Sequence, residues 1–239
     1  MKALKIILKI LLALAWTCAS VFLSQYIFYH LFAFFDRDFV ASPFLTLLYA
    51  IFQYALTLAL AILLPYKLLK QSRPARDFFG LSGLPTFIDI GLSLVGFCVF
   101  YVLAAVLISI FTQVPWFDPT ETQEVGFDPY LFGLDRLFAL VSLVLVAPIA
   151  EELLFRGYLY AKLRSFIKNP VVSVVLSTLL VSALFAFLHG QWNVAVTVFC
   201  LSAVLCLLRE VTGTIYAGII LHILKNGIAF LMIYYLNMV

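Results

Sequence analysis

Long apolar runs separated by short polar breaks make up most of the chain. Seven of them approach or exceed the length of about 20 residues that a helix needs to cross the hydrocarbon core of a bilayer. They cover residues 4–35, 43–69, 87–114, 137–160, 171–188, 194–208 and 215–236, the sixth being the shortest. The pattern predicts an all-α fold, a polytopic integral membrane bundle of about seven transmembrane helices.

The composition agrees with a membrane protein and excludes a soluble one. Of the 239 residues, 65% are apolar and only 11% are charged. A water-soluble domain of this length carries charge on about a quarter of its residues. The breaks between the spans leave no room for a second, soluble domain. We therefore expect residues 1–239 to form a single membrane domain.

The basic residues are distributed unevenly over the predicted loops. Eleven of the fifteen Lys and Arg residues fall on one side: three at the N-terminus, four in residues 67–76, three in residues 162–168, and Arg209. The opposite side has Arg37, Arg136 and most of the acidic residues. The positive-inside rule then places the N-terminus in the cytoplasm, and we expect the cell membrane. Topology accounts for the net charge of +3, so no nucleic-acid partner is expected.

A few ionisable side chains lie inside the predicted spans, where each costs at least about 2.5 kcal/mol unless it is paired, faces a cavity or has a function. Glu152 and Arg156 are four residues apart on one helix, in the order that favours an ion pair. Glu151 points about 100° away from Glu152 and has no cation four residues from it in either direction. It needs a partner on another helix, and the candidates are His189, His222 and Lys225.

Two further pairs have helical spacing. His222 and Asn226 share one face of the seventh span and could present N–H donors side by side, which would suit an oxyanion. The alternative is that they only form hydrogen bonds between helices. Phe185 and His189 are also four apart, so the phenyl ring lies behind the imidazole. A histidine at the end of a span is, taken alone, more often interfacial than catalytic.

A carboxylate, two imidazoles and a carboxamide on three helices form a plausible hydrolytic set. The carboxylate would deprotonate water, one imidazole would help to hold that water, and the remaining donors would stabilise the oxyanion on a peptide carbonyl. No Ser or Cys stands beside these residues at helical spacing, and no H-E-x-x-H motif is present. Activated water without a covalent intermediate is therefore the favoured mechanism.

These residues resemble a known set of motifs. Residues 151–156 are similar to an E-E-x-x-x-R motif, residues 185–189 to F-x-x-x-H, and residues 222–226 to H-x-x-x-N. The three occur together, in this order, in the CPBP family, which comprises the CAAX prenyl endopeptidases and bacterial relatives linked to bacteriocin processing and immunity. The resemblance covers about residues 134–236, and we expect residues 134–239 to form the catalytic core. The spans in residues 1–133 are only compatible with it.

The resemblance implies an intramembrane endopeptidase and assigns a role to each motif residue. Glu151 would be the base and His189 would help to position the water, while His222 and Asn226 would form the oxyanion hole. Glu152, Arg156 and Phe185 would support the site. No cofactor is expected, although zinc held by Glu151, His189 and His222 is the alternative. The expected partners are a peptide or lipidated protein substrate and membrane lipid.

Two other classes of function remain open from the sequence. A proton-coupled transporter could use the same Glu and His residues as a relay, but it would favour paired repeats and broken helices, which are not evident. A catalytically silent immunity or scaffold protein could keep these residues for packing. The role of Lys225 is also open, because it could pair with Glu152 or bind the carboxylate of a lipid or peptide.

Overall fold

The computed structural model describes residues 2–68, 76–114, 117–118 and 126–236. Within these residues every regular element is helical, which confirms the all-α prediction. Seven helices are long and apolar enough to cross a membrane. The positions Arg73, Glu121 and Glu124, which contributed to the predicted loop charges, lie outside the described residues.

The seven helices agree with the predicted spans, with corrections at some ends. They are α1 (Lys2–Phe35), α2 (Pro43–Leu68), α3 (Phe87–Phe111), α4 (Gly133–Phe166), α5 (Pro170–Leu188), α6 (Trp192–Thr212) and α7 (Tyr216–Tyr234). The fourth span is longer than predicted at both ends, and the sixth continues past its predicted end at residue 208. The polar residues at these ends are helical because they form local contacts, as Arg209 does with the carbonyl of Gly213.

The helix ends follow from local sequence. Ser42 caps α2 by accepting a hydrogen bond from the backbone N–H of Leu45, and Asn169 caps α5 in the same way; a proline follows each cap. Thr86 and Asp89 form a capping box at the start of α3, which satisfies a carboxylate that is almost fully buried. Gly213 ends α6 in the left-handed conformation, with φ of 70°.

The chain divides into two compact units, and each combines parts of the N-terminal spans with parts of the segment after residue 133. The first unit contains Met1–Ala15, Pro74–Gln123 and Glu152–Leu221, and the second contains Trp16–Arg73, Glu124–Glu151 and His222–Val239. In the first unit, α6 packs against α3 and against α5, and a buried apolar cluster joins residues of α3, α6 and the start of α7. In the second unit, α2 packs against the first half of α4, and a smaller cluster includes Val144 and Phe230.

Two of the membrane helices are wound wider than a regular α-helix over part of their length. The π-helical segments are Ala59–Leu63 in α2, and Val141–Val146 and Glu152–Tyr160 in α4. A π-helical turn changes the direction of the side chains that follow it and leaves backbone groups without their usual partners. The two segments of α4 lie directly before and after Ala147–Glu151, so the acidic pair stands where the helix changes its winding.

Candidate active site

Glu151 lies near the middle of α4, in the second unit, with its side chain 16% exposed. One carboxylate oxygen, Oε1, accepts a hydrogen bond of 2.8 Å from the hydroxyl of Tyr54 on α2. The other, Oε2, is 3.7 Å from Nε2 of His222 on α7. The carboxylate thus has partners on two other helices. One of them, His222, is among the partners that the sequence predicted.

Tyr54 is a contact of Glu151 that the sequence interpretation missed. The partners predicted for Glu151 were His189, His222 and Lys225, all of which are groups that can carry a charge. The structure brings His222 to Glu151, and it adds a neutral phenol as the hydrogen-bond donor. A tyrosine inside an apolar span is the one signal in the sequence that could have indicated it, since a buried phenol needs a polar partner.

His222 is almost fully buried, and its imidazole faces Glu151. At 3.7 Å the two groups are too far apart for a direct hydrogen bond. The imidazole and the carboxylate are close enough that one atom lying beside both could contact each of them. Asn226, one turn further along α7, donates from Nδ2 to the backbone carbonyl of Leu143 at 3.0 Å. One of its two amide hydrogens is therefore used within the protein, and a second remains.

Glu152 and Arg156 form the predicted ion pair inside the first unit. Oε1 of Glu152 is 2.9 Å from Nη1 of Arg156, and both side chains are completely buried. The guanidinium also lies over the ring of Phe185, with 4.6 Å between Cζ and the ring centroid. Among the described residues, its Nε and Nη2 atoms make no hydrogen bond, so the face of this ring is a principal contact of the charge.

Two close approaches complete the surroundings of this pair. Gly218 of α7 lies against Glu152, so a Cβ atom at this position would be 3.1 Å from Oε2. At Gly157, one residue after Arg156, a Cβ atom would likewise be 3.1 Å from the backbone carbonyl oxygen of Phe79. Only glycine permits these distances without a shift of the neighbouring atoms, so the ion pair lies in a tightly packed part of the unit.

His189 follows the last residue of α5 and belongs to the first unit. Its ring packs edge-on against Phe185 at a centroid distance of 4.6 Å, as the spacing predicted. Nδ1 is 2.8 Å from the carbonyl oxygen of Phe185. Because a carbonyl can only accept, Nδ1 carries the hydrogen, and Nε2 of the neutral ring is left as an acceptor. The predicted joint action of His189 with Glu151 stays a prediction.

The side chains at the site can be compared with those that zinc binding would need. Glu151 and His222 are ligand types that zinc uses, and they approach each other in the second unit. Over the described ranges, no group of three or more His, Cys, Asp or Glu side chains is arranged to hold a metal ion. His189, the third ligand of the alternative, contributes an Nε2 that could accept either a proton or a metal. A metal role for these residues stays a prediction.

Comparison with known proteins adds an independent observation. Residues 133–228 match the family model described as Type II CAAX prenyl endopeptidase Rce1-like. The range contains all three motifs and most of α4 to α7. Neither the comparison with curated proteins nor the comparison with solved structures finds a match.

The seven apolar helices and the family match both agree with an integral membrane protease. The match supports the resemblance to the CPBP family of CAAX proteases over residues 133–228, where the three motifs lie. The match supports a CAAX-type intramembrane endopeptidase in general terms.

Proposed function

We propose that the protein hydrolyses a peptide bond of a prenylated or otherwise lipidated substrate, using water activated by Glu151. The observation that carries the proposal is the difference between the two adjacent glutamates. Glu152 is buried and bound to Arg156, whereas Glu151 is partly exposed and faces an imidazole. A base must reach water and must not be neutralised by a fixed cation.

The proposed reaction uses the groups around Glu151 in order. Glu151 takes a proton from water, and the oxygen attacks the peptide carbonyl to form a tetrahedral intermediate. Nε2 of His222 and the second amide hydrogen of Asn226 donate to the developing oxyanion. The C–N bond then breaks as Glu151 returns the proton to the leaving amine. Nε2 of His189, with its hydrogen on Nδ1, helps to hold the attacking water.

The proposed substrate class follows from the family and the surroundings. The matched family is named for CAAX prenyl endopeptidases, and seven helices are long and apolar enough to cross the membrane in which a lipidated peptide would be anchored. We expect the peptide to arrive from the membrane with its lipid attached. Placement in the cell membrane, with the N-terminus in the cytoplasm, is part of the same proposal, supported by the distribution of Lys and Arg.

The test is hydrolysis of a fluorogenic peptide with a farnesylated cysteine by the purified protein in lipid vesicles. Glu151→Gln removes the proton acceptor but keeps the size of the side chain, so we expect turnover to fall at least a hundredfold. Glu210→Gln is the matched control, since Glu210 lies in an exposed ion pair with Arg164. Full activity of Glu151→Gln would refute the role of Glu151, and an inactive wild-type protein would refute the proposed hydrolysis of this substrate.

A second arm of the experiment tests metal dependence. We expect the wild-type protein to keep its activity after exhaustive chelation, because the proposed mechanism needs only proton transfer and hydrogen-bond donors. Stoichiometric zinc that is lost together with activity, and that restores it, would instead support Glu151, His189 and His222 as ligands.

A further inference from the structure

Tyr54 lies on α2, outside the segment that matches the protease family, yet it contacts the proposed base directly. Its hydroxyl is 2.8 Å from Oε1 of Glu151. An ionised carboxylate can only accept hydrogen bonds, so the phenol is the donor. A hydrogen bond to an ionised carboxylate belongs to the stronger class of protein hydrogen bonds.

The helix that carries Tyr54 is itself fixed by polar contacts with α1 in the same unit. Gln53 donates to the hydroxyl oxygens of Ser24 and Thr57, at 3.3 and 3.1 Å, and these two hydroxyls are 2.5 Å apart. All three side chains are buried. Hydrogen bonds between helices in a membrane limit sliding and rotation of one helix against the other. The position of the Tyr54 hydroxyl is thus determined by helix packing as well as by its own rotamer.

The two oxygens of Glu151 have different surroundings as a result. Oε1 is bound to the phenol, and Oε2 faces Nε2 of His222. A carboxylate held at one oxygen cannot rotate freely about its last bond, so the other oxygen keeps a fixed direction. Effective proton transfer requires such a fixed geometry, because a displacement of about 1 Å is enough to lower a rate a hundredfold.

We propose that Tyr54 is a positioning residue of the protease, which holds Oε1 of Glu151 so that Oε2 is the atom that takes the proton from water. This inference rests on the proposed function. It extends the working site from the family segment to α2, and it gives the N-terminal spans a part in catalysis. Tyr54 makes no contact with substrate in this proposal, so its loss should affect the chemical step and not binding.

Tyr54→Phe removes only the hydroxyl, and Tyr49→Phe is the matched control. Tyr49 lies on the same helix and in the same unit, where its ring packs against Phe32 and Phe39. For Tyr54→Phe we expect kcat to fall roughly ten- to a hundredfold with KM unchanged, as for the loss of a hydrogen bond to a charged group. Tyr49→Phe should keep both constants within about twofold. Melting temperatures of both variants in the same vesicles complete the measurement.

The outcomes separate this inference from the proposed function on which it rests. A lower kcat at constant KM and constant melting temperature supports the positioning role. An unchanged kcat overturns it, and so does a loss of kcat accompanied by a matching rise in KM or fall in melting temperature. Glu151→Gln is measured on the same peptide. If that variant is inactive while Tyr54→Phe resembles wild type, only the inference fails; if Glu151→Gln is active, the proposed function fails.

Discussion

The side-chain amide of Asn226 donates a hydrogen bond to the backbone carbonyl of Leu143. This carbonyl lies in a π-helical segment, where Ala147 donates to Ser142. The next residue is Pro148, which has no N–H. The backbone N–H groups of α4 that would normally bond the Leu143 carbonyl are therefore either directed to another carbonyl or absent. The Asn226 side chain of α7 donates to it instead. In a membrane, where water is scarce, such a carbonyl needs a donor from the protein.

The same arrangement occurs a second time in the same unit. In α2, Leu64 donates to Ala59, and Pro65 lacks an N–H, which leaves the carbonyl of Leu60 without its helical donor. The indole Nε1 of Trp16 on α1 donates to this carbonyl at 3.1 Å. In both helices a proline and a π-helical turn leave one backbone carbonyl without a helical donor, and a polar side chain on another helix donates a hydrogen bond to it.

Asn226→Ala should therefore reduce stability as well as turnover. Loss of the donor leaves the Leu143 carbonyl unsatisfied, which we expect to cost about 1–2 kcal/mol of unfolding free energy. The control is Pro148→Ala, which restores a backbone N–H near this carbonyl. In the Pro148→Ala background, Asn226→Ala should cost less stability in thermal denaturation, while the loss of turnover persists. Equal stability losses in both backgrounds would contradict this account of the Asn226 hydrogen bond.

Glu152→Gln should destabilise the protein far more than the same change in an exposed ion pair. It removes the charge that compensates a completely buried Arg156, which costs about 3–5 kcal/mol. Glu210→Gln removes the partner of Arg164 at the surface, where a pair contributes at most about 1 kcal/mol. Thermal unfolding of both variants measures the difference. Similar melting temperatures for the two would show that the buried pair adds no special stability.

Gly218→Ala and Gly227→Ala form a matched pair on α7. At Gly218 a new Cβ would lie 3.1 Å from the Glu152 carboxylate, whereas at Gly227 the nearest atom, in Val144, is 3.7 Å away. Alanine favours the helix over glycine by up to about 1 kcal/mol at both positions. We expect Gly218→Ala to be less stable than Gly227→Ala by about 1–3 kcal/mol, because its Cβ displaces the ion pair. The melting temperatures of the two variants measure this difference in stability. Equal melting temperatures would mean that Glu152 can move away from the new Cβ atom without loss of stability.

The orientation can be tested by cysteine labelling with an impermeant reagent. Cysteines placed at Arg73, Arg164 and the exposed Lys168 should react from the cytoplasmic side. A cysteine at Glu121 or at the exposed Arg37 should react from the opposite side. The chain with its four native cysteines provides the background signal. The reverse pattern would contradict the proposed orientation.

The fold was predicted well because its main determinant is local in sequence. A run of apolar residues forms a helix in a bilayer whatever its neighbours do, since every backbone group must find its partner within the helix. The apolar runs therefore predicted seven spans and most of the positions at which the helices begin and end. The ends of the fourth and sixth spans were wrong, because hydropathy counts a charged residue such as Arg209 as a break, whereas its contacts keep it helical.

The sequence by itself also determined the pairing of Glu152 with Arg156 and the edge-on contact of His189 with Phe185, because helical spacing brings residues four apart together. Only the tertiary structure decided that Tyr54 donates to Glu151 and that Asn226 donates to Leu143. These contacts join residues 97 and 83 positions apart. They depend on how the helices rotate and slide against each other, and that is determined by packing over whole helix surfaces, which no local spacing records.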